Sequence, residues 1–293
     1  MGNVWDAMKK HEAEQAAKPP GPPAPAEGQP KADAAAPAGP PSKAPARSAP
    51  RADAPRPAAP APRSLIESFS ANGYAPALVA HHDRGGRIAE EYRSLRTNLL
   101  AQYENERFCL LVTSAEPGEG KTVTCLNLAL VLAELQERRV LVIDADLRQA
   151  RVARLLRTKR GPGLADVLRG KASADQAIVP THYPNVFVIP AGEAGRAEIG
   201  ELLGRPELEE SLGHLRQAYD FVLFDTPPVN RSADTGIVGR TVKDALVVVR
   251  MNKTARESVD RAIRLLHAAT IKPVGLVLTH QKYYIPHYLY RYS

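Results

Sequence analysis

A chain of 293 residues with 44% apolar side chains is long enough to bury one sizeable core. Its net charge of +7 is thinly spread, with nine basic against six acidic residues over 1–63 and 30 against 26 over the remainder. Without a basic stripe interleaved with aromatics, nucleic acid is excluded as the expected partner. No apolar run reaches membrane-spanning length and no secretory signal is recognisable, so a cytoplasmic protein is expected.

In chain order, residues 1–17 include Val4, Trp5 and Met8 in a stretch that predicts at most a marginal helix. Residues 18–63 hold fifteen of the 26 prolines among Ala, Gly and scattered charges, a composition that cannot build a core and predicts a disordered, semi-extended linker. The folded domain is expected over 64–278. Near its start, Glu90, Arg93 and Arg96 are spaced by three, so on a helix they share a face within about 120°. Two readings of that face stand open: an interface with a neighbour, or a solvated row of intrahelical ion pairs.

The run from Phe108 to Thr113 predicts a buried strand, and Val123, Leu126, Leu130 and Val131 recur at helical spacing after it. Between them lies Ala115-Glu116-Pro117-Gly118-Glu119-Gly120-Lys121-Thr122, where a phosphate-binding loop belongs. Gly118 and Gly120 let backbone N–H groups turn inward on phosphate oxygens, and the helix N-terminus adds partial positive charge. Lys121 is expected to reach the β- and γ-phosphates and Thr122 to ligate Mg²⁺. A second strand, Val140 to Ile143, runs into Asp144-Ala145-Asp146-Leu147-Arg148, and a third, Phe221 to Phe224, ends in Asp225-Thr226-Pro227-Pro228. Carboxylates at strand ends next to a phosphate loop can hold Mg²⁺ or take a proton. Further strands are predicted over 186–189, 245–249 and 274–278, with helices near 205–218 and 254–269. The alternation implies an α/β fold, a doubly wound, mainly parallel sheet of the P-loop NTPase type with helices on both faces. The two cysteines, Cys109 and Cys125, are expected as buried thiols. The end of the chain, 279–293, carries five of its ten tyrosines: Tyr283, Tyr284, Tyr288, Tyr290 and Tyr292. Pro286 argues against a strand there.

From Ser64 onward the chain resembles the bacterial tyrosine kinases of polysaccharide assembly. The resemblance rests on Pro-Gly-Glu-Gly-Lys-Thr, on a hydrophobic-Asp-x-Asp-x-Arg element like a second Walker A motif, on Asp-Thr-Pro-Pro, on Glu90-x-x-Arg93-x-x-Arg96 and on the tyrosine-rich tail. It implies ATP and Mg²⁺ as cofactors, with nucleotide on Glu116, Pro117, Gly118, Glu119, Gly120, Lys121, Thr122 and Val123. It implies metal on Thr122, Asp144, Asp146 and Asp225, and catalysis by Lys121 with those three acids. It further implies autophosphorylation of the tail in trans within a homo-oligomeric ring, an octamer, joined through Glu90, Arg93 and Arg96. A separate transmembrane activator of the polysaccharide co-polymerase kind, recruitment to the inner face of the membrane and a tyrosine phosphatase complete the expectation. Two other classes stay open: an ATPase switch of the MinD or ParA type, which places a signature Lys where this chain has Glu116, and a nucleotide-binding regulator that transfers no phosphate.

Overall fold

Among the described residues, four strands built on short apolar runs are buried almost throughout. They are β1 (Phe108–Ser114), β2 (Val140–Asp144), β4 (Val186–Ile189) and β5 (Phe221–Asp225), every residue of which is buried except Cys109. Continuous apolar runs are what parallel strands between two helical layers require. With β3 (Val179–Pro180), β6 (Asp244–Arg250) and β7 (Lys272–Thr279) they form a seven-stranded sheet in the order β3-β4-β2-β5-β1-β6-β7. All neighbours are parallel except the two-residue antiparallel pair of β3 with β4.

The computed structural model describes residues 73–103, 107–158 and 161–281. The expected N-terminal helix, the linker and all five tail tyrosines lie outside those residues. Each strand alternates its side chains between two cores. Leu111, Leu141, Ile143, Val222, Phe224 and Val247 enter one; Leu110, Val112, Val142, Phe221, Leu223 and Val248 enter the other. The second core is closed by α1 (Val79–His82), α2 (Arg87–Leu100), α3 (Lys121–Leu132) and α4 (Val152–Leu155), through Leu78, Leu99, Leu126 and Val152 among others. The first is closed by α5 (Leu164–Leu168), α6 (Ala174–Ala177), α7 (Ile199–Leu203), α8 (Glu207–Ala218), α9 (Asp234–Val242) and α10 (Arg256–Ala268). This is the expected doubly wound sheet.

Helix α3 is apolar on every side, and all its residues but Val123 are buried. Such a helix needs cover all round, which the sheet, α1 and α2 supply. Asn127 on α3 makes the tie to α1: its Oδ1 accepts from the Ala80 N–H at 2.9 Å and its Nδ2 donates to the Ala77 carbonyl at 3.1 Å. On the other face, Gly239 of α9 lies where an added Cβ would come within 2.6 Å of Ile271 Cγ1, so the absence of a side chain allows the helix its approach to the sheet. Of the two cysteines, Cys125 is fully buried and Cys109 only partly exposed. Burial pushes both thiols up, Cys109 to about 11, so neither is poised as a nucleophile.

The register sets the functional end of the sheet. Asp144 and Asp225 are direct partners on adjacent strands, and Val112 of β1 pairs with Asp225. Both acids therefore stand at the C-terminal edge, one strand and two strands away from the loop that follows β1. Ligands of open α/β sheets bind at that edge.

Candidate functional site

The loop from β1 to α3 turns through two glycines in the left-handed region, Gly118 at φ +78° and Gly120 at φ +96°. A side chain there is strained whatever the space, which explains glycine at both. Gly120 caps α3, so Lys121 and Thr122 open the helix and follow directly from the loop.

The Lys121 ammonium donates to Asp146 Oδ2 at 2.8 Å and lies 3.4 Å from Asp225 Oδ1. Thr122 Oγ1 donates to Asp225 Oδ2 at 2.7 Å. Lys121, Thr122, Asp146 and Asp225, named by the sequence as site residues, are thus one buried cluster. Burial works against the Lys121 charge, yet Asp225 and Asp146 outweigh it and hold the ammonium above the usual lysine value. Burial likewise pushes Asp225 up to about 6 despite the opposing Lys121 and the Thr122 hydrogen bond.

Asp144 has a different place from Asp146. Its Oδ2 accepts from the Val152 N–H at 3.0 Å, so it fastens the start of α4. Burial and the Asp225 charge hold its carboxyl well above the ordinary range. Asp144 Oδ1 and Asp146 Oδ1 are buried with no hydrogen-bond partner among the described residues. Unpaired buried carboxylate oxygens are costly and call for a cation or donor. Among the described residues no group of three or more His, Cys, Asp or Glu is arranged to hold a metal by itself. What Thr122, Asp144, Asp146 and Asp225 offer is hard oxygen donors, two of them the orphaned Oδ1 atoms, which suit Mg²⁺ only where water and phosphate complete its shell.

The two loop acids turn away from the phosphate role that their position suggests. Glu116 accepts from Ser258 Oγ at 2.7 Å and pairs with Arg231 at 2.8 Å. The Ser258 hydroxyl, helped by Arg231 and Asn230, holds its carboxyl below the usual glutamate range. Glu119 accepts from the Glu116 N–H at 2.7 Å through Oε2 and from the Thr254 hydroxyl through Oε1. Thr279, the last residue of β7, donates to the Glu119 carbonyl at 2.7 Å. Their side chains brace the loop, so any share of Glu116 and Glu119 in nucleotide binding falls to the backbone. Arg148, which closes the second acidic motif, holds Asp234 at the start of α9 through two hydrogen bonds of 2.6 and 3.0 Å.

A cavity of about 110 Å³ opens beside Lys121 and Thr122. The loop contributes Pro117, Gly118 and Gly120 to its lining, α3 contributes Lys121, Thr122 and Val123, and Arg151 and Arg154 come in from the cap and the body of α4. Neither arginine was singled out by the sequence, although both follow closely on the second acidic motif.

Glu90, Arg93 and Arg96 do share one face of α2, but the guanidiniums are engaged within the chain. Arg93 binds Glu134 at 2.6 and 2.8 Å and Glu90 at 2.5 Å, and Arg96 reaches Glu134 at 2.9 Å and the Val131 carbonyl at 2.5 Å. The intrahelical pair expected of a solvated row is present, and a clamp from α2 to the end of α3 is added. Glu134 was not anticipated, because its partners lie 38 and 41 residues earlier.

A glycine-turned loop opening a helix, with a lysine, a threonine and strand-end carboxylates converging on it, defines the P-loop class. Residues 110–270 match the family model described as an AAA domain. The chain is 34% identical over 195 residues to the tyrosine-protein kinase YwqD of Bacillus subtilis, covering 66% of this chain and 81% of that one. It is 34% identical over 190 residues to the tyrosine-protein kinase wzc of Salmonella typhimurium, covering 64% of this chain but only 26% of that longer protein. Among solved structures, the kinase domain of the Escherichia coli tyrosine kinase ETK superposes with a TM-score of 0.66 at 29% identity, covering 75% of this chain and 89% of that domain. The division-site protein MinD of Pyrococcus horikoshii, complexed with Mg-ADP, gives 0.51 at 26% identity, covering 59% and 69%. The chain belongs to the bacterial tyrosine-kinase family.

Proposed function

We propose that this chain is an ATP-dependent protein-tyrosine kinase that phosphorylates its own C-terminal tyrosines in trans. The observation that carries the reading is the buried cluster of Lys121, Thr122, Asp146 and Asp225 at the mouth of a glycine-turned loop. In this reading the backbone of 116–120 cradles the phosphates, and Lys121 leaves Asp146 to meet the transferred group. Mg²⁺, when bound, neutralises charge on the phosphates. Thr122 and Asp225 are the residues to hold it. The unpaired Oδ1 atoms of Asp144 and Asp146 are the two left to ligate metal or to accept the tyrosine proton. The phosphoryl leaves the nucleotide, which departs as the diphosphate, and the tyrosine oxygen gives up its proton as it takes the phosphoryl. Most of the catalysis is positioning and electrostatics.

The finer expectations continue as parts of the proposal. ATP and Mg²⁺ are the cofactors. The tail acceptors are Tyr283, Tyr284, Tyr288, Tyr290 and Tyr292. Copies assemble into an octameric ring in which Glu90, Arg93 and Arg96 exchange the Glu134 clamp for contacts with a neighbour. A separate transmembrane activator recruits the kinase to the inner face of the membrane, a phosphatase reverses the modification, and the output is control of exopolysaccharide or capsule synthesis and export. No helix among the described residues is long and apolar enough to cross a membrane. Against a MinD-like switch stands Glu116, whose side chain is committed to Ser258 and Arg231 where that group carries its signature lysine.

The test is incubation of purified protein with Mg²⁺-ATP, alone and with a candidate activator, followed by mass spectrometry for phosphotyrosine. Tail phosphotyrosine that disappears in a variant with all five tail tyrosines changed to Phe supports the reading. ATP hydrolysis without phosphotyrosine in either condition refutes it and returns the switch.

A further inference from the structure

Ion pairs occupy many of the arginines in this structure: Arg93 and Arg96 on Glu134, Arg148 on Asp234, Arg169 on Glu198, Arg205 on Glu201 and Arg231 on Glu116. Arg151 and Arg154 differ. Both are exposed, both line the cavity over the P-loop, and neither side chain has a hydrogen-bond or ion-pair partner among the described residues.

Their mount is firm. The Val152 N–H between them is held by Asp144 Oδ2 at 3.0 Å, and Val152 and Leu156 are 0% and 2% exposed in the core beneath. Positions 151 and 154 are three apart around a helical turn, so the two side chains leave one face and both reach the cavity wall. The segment is fixed by the strand end that carries the second acidic motif, and it enters from the β2 side of the sheet. In the order β2-β5-β1, that is the flank of Asp144 and Asp146.

Charge says what the pair is for. Lys121 is the cation of the P-loop, and Asp146 and Asp225 already share it. With Asp144 beside them, the fixed charge of the buried cluster offers little to a polyanion. Two free guanidiniums on the same cavity supply what the cluster lacks, in the planar geometry that fits phosphate oxygens.

We propose that Arg151 and Arg154 are a second phosphate-binding element of the P-loop cavity, taking the terminal phosphoryl group on the acceptor side. The inference rests on the kinase reading. That group has two sources: the γ-phosphate of ATP before transfer, and a phosphotyrosine after it. The unmodified tail, residues 282–293, carries Lys282 and Arg291 and no acid, so it gains nothing from this wall until it is phosphorylated. Two arginines that favour the modified tail would hold a product in place, or draw a tail with one phosphate back for the next.

The experiment compares full-length protein with the variant Arg151→Ala/Arg154→Ala, after circular dichroism and thermal unfolding have established equal folding. Calorimetry measures binding of Mg²⁺-ADP, a Mg²⁺-bound non-hydrolysable ATP analogue, and a peptide of residues 279–293 with and without phosphate on Tyr288. Mg²⁺-ADP should bind both proteins within about twofold. A loss of about tenfold or more for the ATP analogue identifies the γ-phosphate as the ligand, and the same loss for the phosphopeptide alone identifies the product. Arg151→Lys/Arg154→Lys should recover part of either. Equal binding of all ligands by both proteins overturns the inference alone, as does an equal loss for ADP, which would move the arginines off the terminal group. Absence of nucleotide binding by the unaltered protein overturns the kinase reading and this inference with it.

Discussion

Replacing Lys121 with Met should destabilise the protein as well as silence it, and the size of the effect can be worked from the cluster. The ammonium faces Asp146 at 2.8 Å and Asp225 at 3.4 Å, and the two carboxylates are 2% and 0% exposed. Removing one partner of a buried ion pair costs about 3–5 kcal/mol, because the charge left behind is neither hydrated nor compensated. A carboxyl can escape that cost by taking up a proton. At pH 7, against an unfolded value near 3.9, the proton costs about 4 kcal/mol, so the two routes agree. The assay is urea unfolding of Lys121→Met without nucleotide, beside Asp146→Asn and the double variant. The expected result is a large fall in the midpoint for Lys121→Met and a recovery of roughly 1–2 kcal/mol on adding Asp146→Asn, since one orphaned charge is then gone. A Lys121→Met midpoint equal to that of the unaltered chain would refute the buried-cluster reasoning, whatever happened to phosphotyrosine. Loss of activity in that variant therefore counts as catalytic only at temperatures well below its own transition.

Glu134→Gln should lower stability by about 0.5–1 kcal/mol at neutral pH, the scale of a partly exposed pair. Arg93 hydrogen bonds hold the Glu134 carboxyl below its usual range, so its contribution is full above the ordinary glutamate pKa and is lost as pH falls through the depressed value. Melting curves of the two proteins should converge in acid, and a gap that stays constant down to pH 3 would remove the clamp. Gly239→Ala should cost about 1–3 kcal/mol through overpacking against Ile271, with partial relief from Ile271→Val. Unfolding midpoints of the three variants decide it.

The parts of this fold legible in the sequence are those fixed by local physics. Strands buried on both faces announce themselves as unbroken apolar runs, and β1, β2, β4 and β5 fall where those runs lie. Helices α8 and α10 are long enough to show a period, and both were expected within two residues of their ends. The helices α1, α4, α5, α6 and α7 have four or five residues each, little more than one turn, over which no period can be counted. The site divides in the same way. Lys121, Thr122, Asp146 and Asp225 were recognisable as a set, but which carboxylate Lys121 chooses depends on how three strands and a helix meet. That Asp144 would bind the Val152 N–H, and that Arg151 and Arg154 would thereby be carried to the cavity, needed the turn after β2 to be seen. The resemblance puts Glu116 and Glu119 among the nucleotide contacts, while their side chains turn elsewhere. Their partners Ser258 and Thr254 lie 142 and 135 residues further on, beyond anything spacing can reveal.

Those two glutamates have a consequence for how binding defects should be sorted. A phosphate loop that is slack in the free protein must be ordered by its ligand, and affinity suffers by the cost of ordering. Here the loop is bound to the β6–α10 connection through Thr254, to the first turn of α10 through Ser258 and to the last residue of β7 through Thr279. Its shape is therefore set when the sheet closes, before any nucleotide arrives. Substitutions at Thr254, Ser258 or Thr279, none of which belongs to the P-loop motif, would then act as nucleotide-binding mutations in their effect. They would slow capture and weaken affinity by making the ligand order what the fold had already ordered.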